Sequence, residues 1–234
     1  MSIRNKILWI FYPKRCCFCG KVSETEVCLL CKEKIFYIEE PRCKKCGRPV
    51  RYEEQEYCYE CQKIKFHYNQ GKSIWLHKTP VRESIYQFKY HNRRIYGEFY
   101  AKEVYRLFQR ELREWRIDVI IPVPLHKRRK RLRGYNQAEI IAETLGKLAD
   151  IPVNTKVVKR KKYTRPQKEL SDKERKANLK DAFCVQKDWE IPQNILLIDD
   201  IYTTGSTIDT IAKCLKEKAE CNVWFLTISI GQDF

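Results

Sequence analysis

With 234 residues, 43% of them hydrophobic, the chain has room for one ordinary domain plus a small appendage, and enough apolar residue for a core. Its formal charge of +17 points to an anionic partner, and roughly +13 would remain if eight thiolates held two Zn²⁺. Twelve cysteines would suit a secreted disulfide scaffold, but eight stand in four CxxC pairs, a spacing that favours metal.

Residues 2–13 read as a short amphipathic helix, with Ile3, Ile7, Ile10 and Phe11 on one side. The apolar run at 7–12 is too short for a signal peptide, no small-residue cleavage site follows, and no stretch reaches transmembrane length. Reduced thiols then place the chain in the cytoplasm.

Two cysteine sets follow. Cys16, Cys19, Cys28 and Cys31 form the first; Cys43, Cys46, Cys58 and Cys61 form the second. Gly20 and Gly47 each follow a pair, where a knuckle turn wants positive φ. Each set matches a Cys₄ zinc ribbon, and four protein ligands leave no open position, so both zinc ions are expected to be structural. Spacing leaves open whether Cys17 replaces Cys16, and whether pairs are shared crosswise. Cys184, Cys214 and Cys221 read as ordinary thiols.

Residues 62–73 read as a polar linker, so residues 1–70 form one unit and 71–234 the other. A strand at 73–77 is followed by a helix opened by Thr79 and Pro80, with Ile85, Phe88 and Tyr86 toward the core. A longer helix spans 95–115, with Phe99, Val104, Leu107, Phe108, Leu112 and Trp115 at helical spacing. Residues 118–124 form a buried strand whose end, with Pro122 and Pro124, leaves regular pairing. A basic loop follows, with Lys127, Arg128, Arg129, Arg133, Gly134, Asn136 and Gln137, and then a helix at 136–148 capped by Asn136. A basic loop at a strand's carboxyl end is an anion site, read first as one for pyrophosphate, second as one for nucleic-acid phosphates and last as a solvated face. Residues 153–159 read as a strand. The polar segment 161–182 reads either as a lid or as a surface loop, and Ser171 with Glu174 opens a capping box in it. Short strands at 183–185 and 221–229 complete the pattern.

The most informative stretch is NILLIDDIYTTGST. The apolar run 195–198 reads as a buried strand ending in Asp199 and Asp200. Thr203, Thr204, Gly205, Ser206 and Thr207 form a hydroxyl-rich turn, and an amphipathic helix occupies 208–218. A helix N-terminus preceded by such a turn suits a phosphate. Carboxylates only accept hydrogen bonds, so they suit sugar hydroxyls or hydrated Mg²⁺.

LLIDDIYTTGST resembles the phosphoribosyl-pyrophosphate (PRPP) motif of type I phosphoribosyltransferases. That likeness implies a ribose role for Asp199 and Asp200 and a 5′-phosphate role for the loop from Thr203 to Thr207. It also implies an α/β fold with a mainly parallel sheet and flanking helices, to which the zinc ribbons are appended.

The order of parts narrows the resemblance. The double Cys₄ ribbon, IPVPLHKRRKRLRGYNQAEIIAETL, TRPQKELSDKERKANLKDAF and the PRPP motif together resemble the ComF/ComFC competence-protein family. RGYNQA is close to that family's RGFNQA, and its Thr-x-x-Gln…Arg…Asn…Ala-Phe pattern falls on Thr164, Gln167, Arg175, Asn178, Ala182 and Phe183. The likeness implies a role in DNA uptake, with single-stranded DNA held by the basic loops and PRPP, a nucleotide or a DNA 5′-phosphate in the pocket. A second reading is an active phosphoribosyltransferase with Mg²⁺ and an unknown acceptor. A third is a zinc-ribbon adaptor for a helicase or single-strand-binding factor. The acceptor half of an enzyme site is not legible; the zinc unit with residues 77–115 is the candidate hood.

Overall fold

A computed structural model describes residues 13–161 and 182–231. The expected amphipathic helix at 2–13 and the expected lid or loop at 161–182, with Thr164, Gln167, Arg175 and Asn178, lie almost wholly outside the described residues. Among the described residues, no helix is long and apolar enough to cross a membrane.

Four parallel strands form the central sheet: β1 (Gln70–Leu76), β2 (Val119–Pro122), β5 (Asn194–Tyr202) and β6 (Asn222–Ile230), in the order β1-β6-β5-β2. β3 (Val158–Arg160) and β4 (Phe183–Val185) make a separate antiparallel pair. The helices are α1 (Leu29–Lys32), α2 (Tyr59–Lys63), α3 (Val81–Tyr90), α4 (Ile95–Glu114), α5 (Lys127–Arg133), α6 (Gln137–Ala149) and α7 (Ser206–Lys216). The mainly parallel α/β sheet with flanking helices matches the expectation.

Successive side chains of a strand face opposite ways, and β5 shows the consequence. Leu196 and Ile198 pack into one core with residues of α3, α4 and α6. Ile195 and Leu197 pack into the other with residues of α7, β3 and β4. All four are at most 1% exposed, so the strand is apolar without alternation, as a sheet covered on both faces requires.

The two zinc ribbons join opposite cores. Cys16, Cys17, Phe18 and Cys31 belong to the α4 side; Cys43, Cys46 and Cys58 belong to the α7 side. The chain between them crosses the outer edge of β1. There Tyr37 bridges Trp75, the Ile38 amide donates to the Ile74 carbonyl (2.9 Å), and the Gly71 amide donates to the Lys45 carbonyl (2.9 Å). A strand edge that would otherwise present unpaired amides is thereby covered.

The expected linker at 62–73 is not one. Phe66 and Tyr68 are buried, and β1 begins at Gln70, three residues before the expected strand. The Tyr68 ring meets Phe225 edge-on at 5.0 Å. A Cβ at Gly71 would run into the same Phe225 ring, so only glycine lets β1 approach it. Four other expectations shift. Tyr86 is 54% exposed and outside the core. Residues 127–133 form a helix, α5, where a basic loop was expected. The strand expected over 153–159 shortens to β3, and Val153 only bridges Ile120. β5 runs on through Asp199 and Asp200 to Tyr202, because Asp199 and Ile201 still pair with β6.

Candidate functional site

The four sulfurs of Cys16, Cys19, Cys28 and Cys31 lie within 4.8 Å of one another, as do those of Cys43, Cys46, Cys58 and Cys61. The pairs are not shared crosswise. Cys17 is outside the first set: it is 4% exposed, and burial pushes its thiol up to about 12, beyond the reach of easy deprotonation. Both turns repeat the same bonds. Gly20 donates to the Cys16 carbonyl and Gly47 to the Cys43 carbonyl, each at 2.9 Å, and both glycines have φ of +72°. Hydrogen bonds from the three neighbouring sulfurs hold the Cys43 thiol far below its ordinary range, and its contact pushes Cys46 far above. Four sulfurs this close fit one tetrahedral Zn²⁺, which would take the place of the shared protons.

At the carboxyl end of the sheet, the tips of β2 and β5 enclose a cleft of about 230 Å³. Asp199, Asp200, Thr203 and Thr207 come from β5 and its loop; Val123, Pro124 and Leu125 follow β2; Arg129 and Arg133 come from α5. Open parallel sheets present their ligand sites at this edge. Tyr202, Thr203, Gly205, Ser206 and Thr207 line a small notch beside Asp199.

Gly205 caps α7 with φ of +74° and makes no side-chain cap hydrogen bond, so the positive dipole end of that helix meets the notch. A Cβ there would collide with the Tyr202 ring and hydroxyl. The Thr204 and Ser206 hydroxyls are 2.8 Å apart, and the Asp200 amide donates to Asp199 Oδ1 at 2.8 Å.

Arg129 and Arg133 reach the cleft together because α5 places i and i+4 on one face. Arg133 donates to Gln137 Oε1 and to the Tyr90 hydroxyl, each at 3.1 Å, and lies over the Tyr90 ring at 4.9 Å. The other expected members of this group do not line the cleft. Lys127, Arg128 and Gly134 are exposed, and Gly134 ends α5 with φ of +78°. Asn136 and Gln137 are buried; Asn136 accepts from the Ala138 amide (3.2 Å) and donates to the Val123 carbonyl (3.0 Å), tying α6 to the end of β2.

Three side chains escaped the sequence reading. Lys89 pairs with Asp200 at 2.8 Å, both largely buried. Tyr90 and Arg160 also line the cleft. Burial and the neighbouring Arg129 lower the Arg160 guanidinium to about 10, so it stays cationic but would gain from an anion. Burial and the Asp200 charge push the Asp199 carboxyl up to about 7. The cleft thus sets four cations against two acids, one of them half-protonated at neutrality.

The second ribbon reaches the same loop. Arg48, the residue after Gly47, is 8% exposed; its Nη2 donates to the Thr203 carbonyl at 3.0 Å and pairs with Glu60 at 3.2 Å. Tyr68 and Tyr202 share a buried hydroxyl hydrogen bond of 2.7 Å, and the His67 ring meets Asp209 of α7 at 3.2 Å. Nothing in the CxxC spacing signalled this contact.

Comparison with known proteins accounts for the order of these parts. Residues 7–62 match the family described as "Double zinc ribbon domain". Competence protein F of Haemophilus influenzae is 34% identical over 92% of this chain and 97% of its own. Competence protein ComFC of Bacillus subtilis is 28% identical over 84% of this chain and 80% of its own. DNA utilization protein YhgH of Escherichia coli K12 is 28% identical over 90% and 88%. A purine phosphoribosyltransferase from Pyrococcus horikoshii Ot3 overlays 56% of this chain and 73% of its own, with a TM-score of 0.38 and 18% identity. With a third of its residues shared along nearly the full length of Competence protein F, the chain belongs to the competence protein F family, the ComF/ComFC proteins.

Proposed function

We propose that this chain is a DNA-uptake factor of the ComF type, whose cleft grips a sugar phosphate and whose basic outer rim holds single-stranded DNA. The relatives' names, competence protein and DNA utilization protein, support the role in DNA uptake and use. One observation carries the rest: the acid pair, the start of α7 and three arginines, two from α5 and one from β3, converge on one cleft of about 230 Å³. In it, Asp199 and Asp200 accept from ribose hydroxyls, the loop from Thr203 to Thr207 surrounds a 5′-phosphate, and Arg129, Arg133 and Arg160 face a pyrophosphate such as that of PRPP. Lys127, Arg128 and Arg131, exposed on the outer face of α5, supply strand-phosphate contacts.

Mg²⁺ fits this site only in part. Asp200 is engaged by Lys89 and burial raises the Asp199 carboxyl to about 7, so the acids alone offer less than two full charges. The ion would arrive bound to the pyrophosphate, as Mg²⁺ commonly does. The same convergence supports the second reading, a phosphoribosyl transfer in which the arginines stabilise departing pyrophosphate.

Calorimetric titration with PRPP, with and without Mg²⁺, tests the cleft. Binding that Asp200→Asn weakens is expected; no heat under either condition would overturn the cleft reading. Fluorescence anisotropy of a labelled single strand across a salt series tests the rim, where a flat response would count against DNA. Release of pyrophosphate in the presence of a panel of bases and amines separates the transferase reading from binding alone.

A further inference from the structure

Lys89 stands in the last turn of α3 and lines the cleft, where its Nζ lies 2.8 Å from Asp200 Oδ1. The two side chains are 16% and 13% exposed, so solvent and salt screen the pair little. We infer that Lys89 is a positioning residue that takes the place of a divalent cation at the acid pair, so that the cleft binds a sugar phosphate without metal. The inference rests on the sugar-phosphate reading of the cleft and deepens it.

Three observations support it. First, the bonds divide the carboxylate oxygens evenly. Asp199 Oδ1 accepts from the Asp200 amide at 2.8 Å, and Asp200 Oδ1 pairs with Lys89. The Oδ2 of each acid makes no hydrogen bond or ion pair among the described residues. One acceptor per acid is left for the hydroxyls of a sugar. A divalent cation would draw on the same oxygens and compete with that sugar. Second, the ammonium already brings the neutralising charge. Burial and the Asp200 charge raise the Asp199 carboxyl to about 7, and the Lys89 charge acts against both. One ammonium beside two acids leaves at most one net negative charge, a poor match for a hydrated Mg²⁺. Third, Lys89 is anchored through its own helix. The Tyr135 hydroxyl donates to the carbonyl of the neighbouring Phe88, which is fully buried. One turn earlier, the buried Ser84 hydroxyl donates to the Cys17 carbonyl beside the first zinc site. An ammonium held in place before the ligand arrives costs little reorganisation on binding, and its remaining N–H groups can donate to ligand oxygens.

Calorimetric titration of the full, zinc-loaded chain with ribose 5-phosphate, without and with added Mg²⁺, tests the assignment. Wild-type affinity should agree within about twofold under the two conditions. Lys89→Met should lose about tenfold without Mg²⁺, the scale of one charge-assisted contact, and regain most of it when Mg²⁺ is added. Lys89→Arg should stay within about threefold of wild type.

Mn²⁺ alone, followed by the electron paramagnetic resonance of the free ion, gives a second readout, a gain that a misfolded variant would not show. Lys89→Met should bind Mn²⁺ about tenfold more tightly than wild type, and adding Asp200→Asn should remove that gain. Mg²⁺-dependent binding of ribose 5-phosphate by wild type would overturn the inference while the cleft reading stands. So would equal Mn²⁺ affinity in wild type and Lys89→Met, or unchanged metal-free sugar-phosphate affinity in that variant. A loss that neither Mg²⁺ nor the arginine variant restores would overturn it too, leaving Lys89 a structural residue. Failure of wild type to bind ribose 5-phosphate under either condition would overturn the cleft reading itself, and this one with it.

Discussion

If the loop from Thr203 to Thr207 holds a phosphate, its contact with the second zinc ribbon predicts that ligand affinity depends on a residue outside the cleft. Arg48 donates to the Thr203 carbonyl at 3.0 Å and pairs with Glu60 at 3.2 Å, from a position 8% exposed. Arg48→Met keeps most of the side-chain volume and removes the guanidinium. The Thr203 carbonyl and the Glu60 carboxylate then lose a charged donor, at a cost of about 1.5–3 kcal/mol for each such bond. Glu60 is 21% exposed and can turn to water, so most of its share is recovered. The Thr203 share falls on the loop that would wrap a phosphate. If about 2 kcal/mol of loop order must be restored by the ligand, affinity falls about 30-fold. Calorimetry with ribose 5-phosphate on wild type and Arg48→Met measures it directly. Zinc content serves as the control, because Arg48 ligates no metal and both ions should remain. Unchanged affinity in a variant that merely melts earlier would refute the coupling and leave Arg48 as a packing residue. Loss of zinc from the variant would refute it differently, by showing that Arg48 holds the ribbon and not the loop.

Further outcomes follow from other contacts. Burial pushes Asp199 up to about 7, against roughly 3.9 in an unfolded chain, so the folded state alone holds that proton between about pH 4 and 7. Stability therefore falls as pH rises through that window, and the melting-temperature advantage of Asp199→Asn should grow across it and level off above; a constant difference would contradict the assignment. Cys16→Ser should leave one zinc ion per chain and Cys17→Ser two, by metal analysis, since only Cys16 stands among the four sulfurs of the first set. Lys127→Gln with Arg128→Gln should lower the salt slope of single-strand binding by about 1.4, at roughly 0.7 per phosphate lost, without altering ribose 5-phosphate affinity. An unchanged slope would take the strand off the outer face of α5.

How much of this was legible depends on the range of each signal. The PRPP-like stretch was readable because strand, acids, turn and helix are contiguous, and the structure brings Asp199, Asp200, Thr203 and Thr207 to one cleft. The CxxC pairs were readable for the same reason. The basic segment was half readable. Seven residues with six cations and one leucine carry no apolar period, so a loop was expected where α5 forms. Read as a helix, the segment puts Arg129 and Arg133 on one face and Lys127 and Arg131 on another. A helix ending near Lys89 and Tyr90 was visible, but their exposure to the cleft was not. That depends on β5 lying beside α3, a contact between segments more than a hundred residues apart in the chain. Arg160 was hidden by a strand too short to announce its end.

The linker at 62–73 failed for a more instructive reason. Its polarity suggested a linker between the zinc unit and a phosphoribosyltransferase-like domain. Instead Tyr68 packs against Phe225 and Tyr202, and Gly71 sits beneath Phe225. One ribbon joins each core and the chain between them covers the β1 edge, so neither ribbon packs as a separate bead. A sheet of four strands has little apolar area of its own, and a small domain gains most from elements that close its edge and complete both faces. The zinc ions then stabilise more than two knuckles. Through Arg48 and Tyr68 the second one is tied to the loop from Thr203 to Thr207, so folding of that ribbon should order the loop as well.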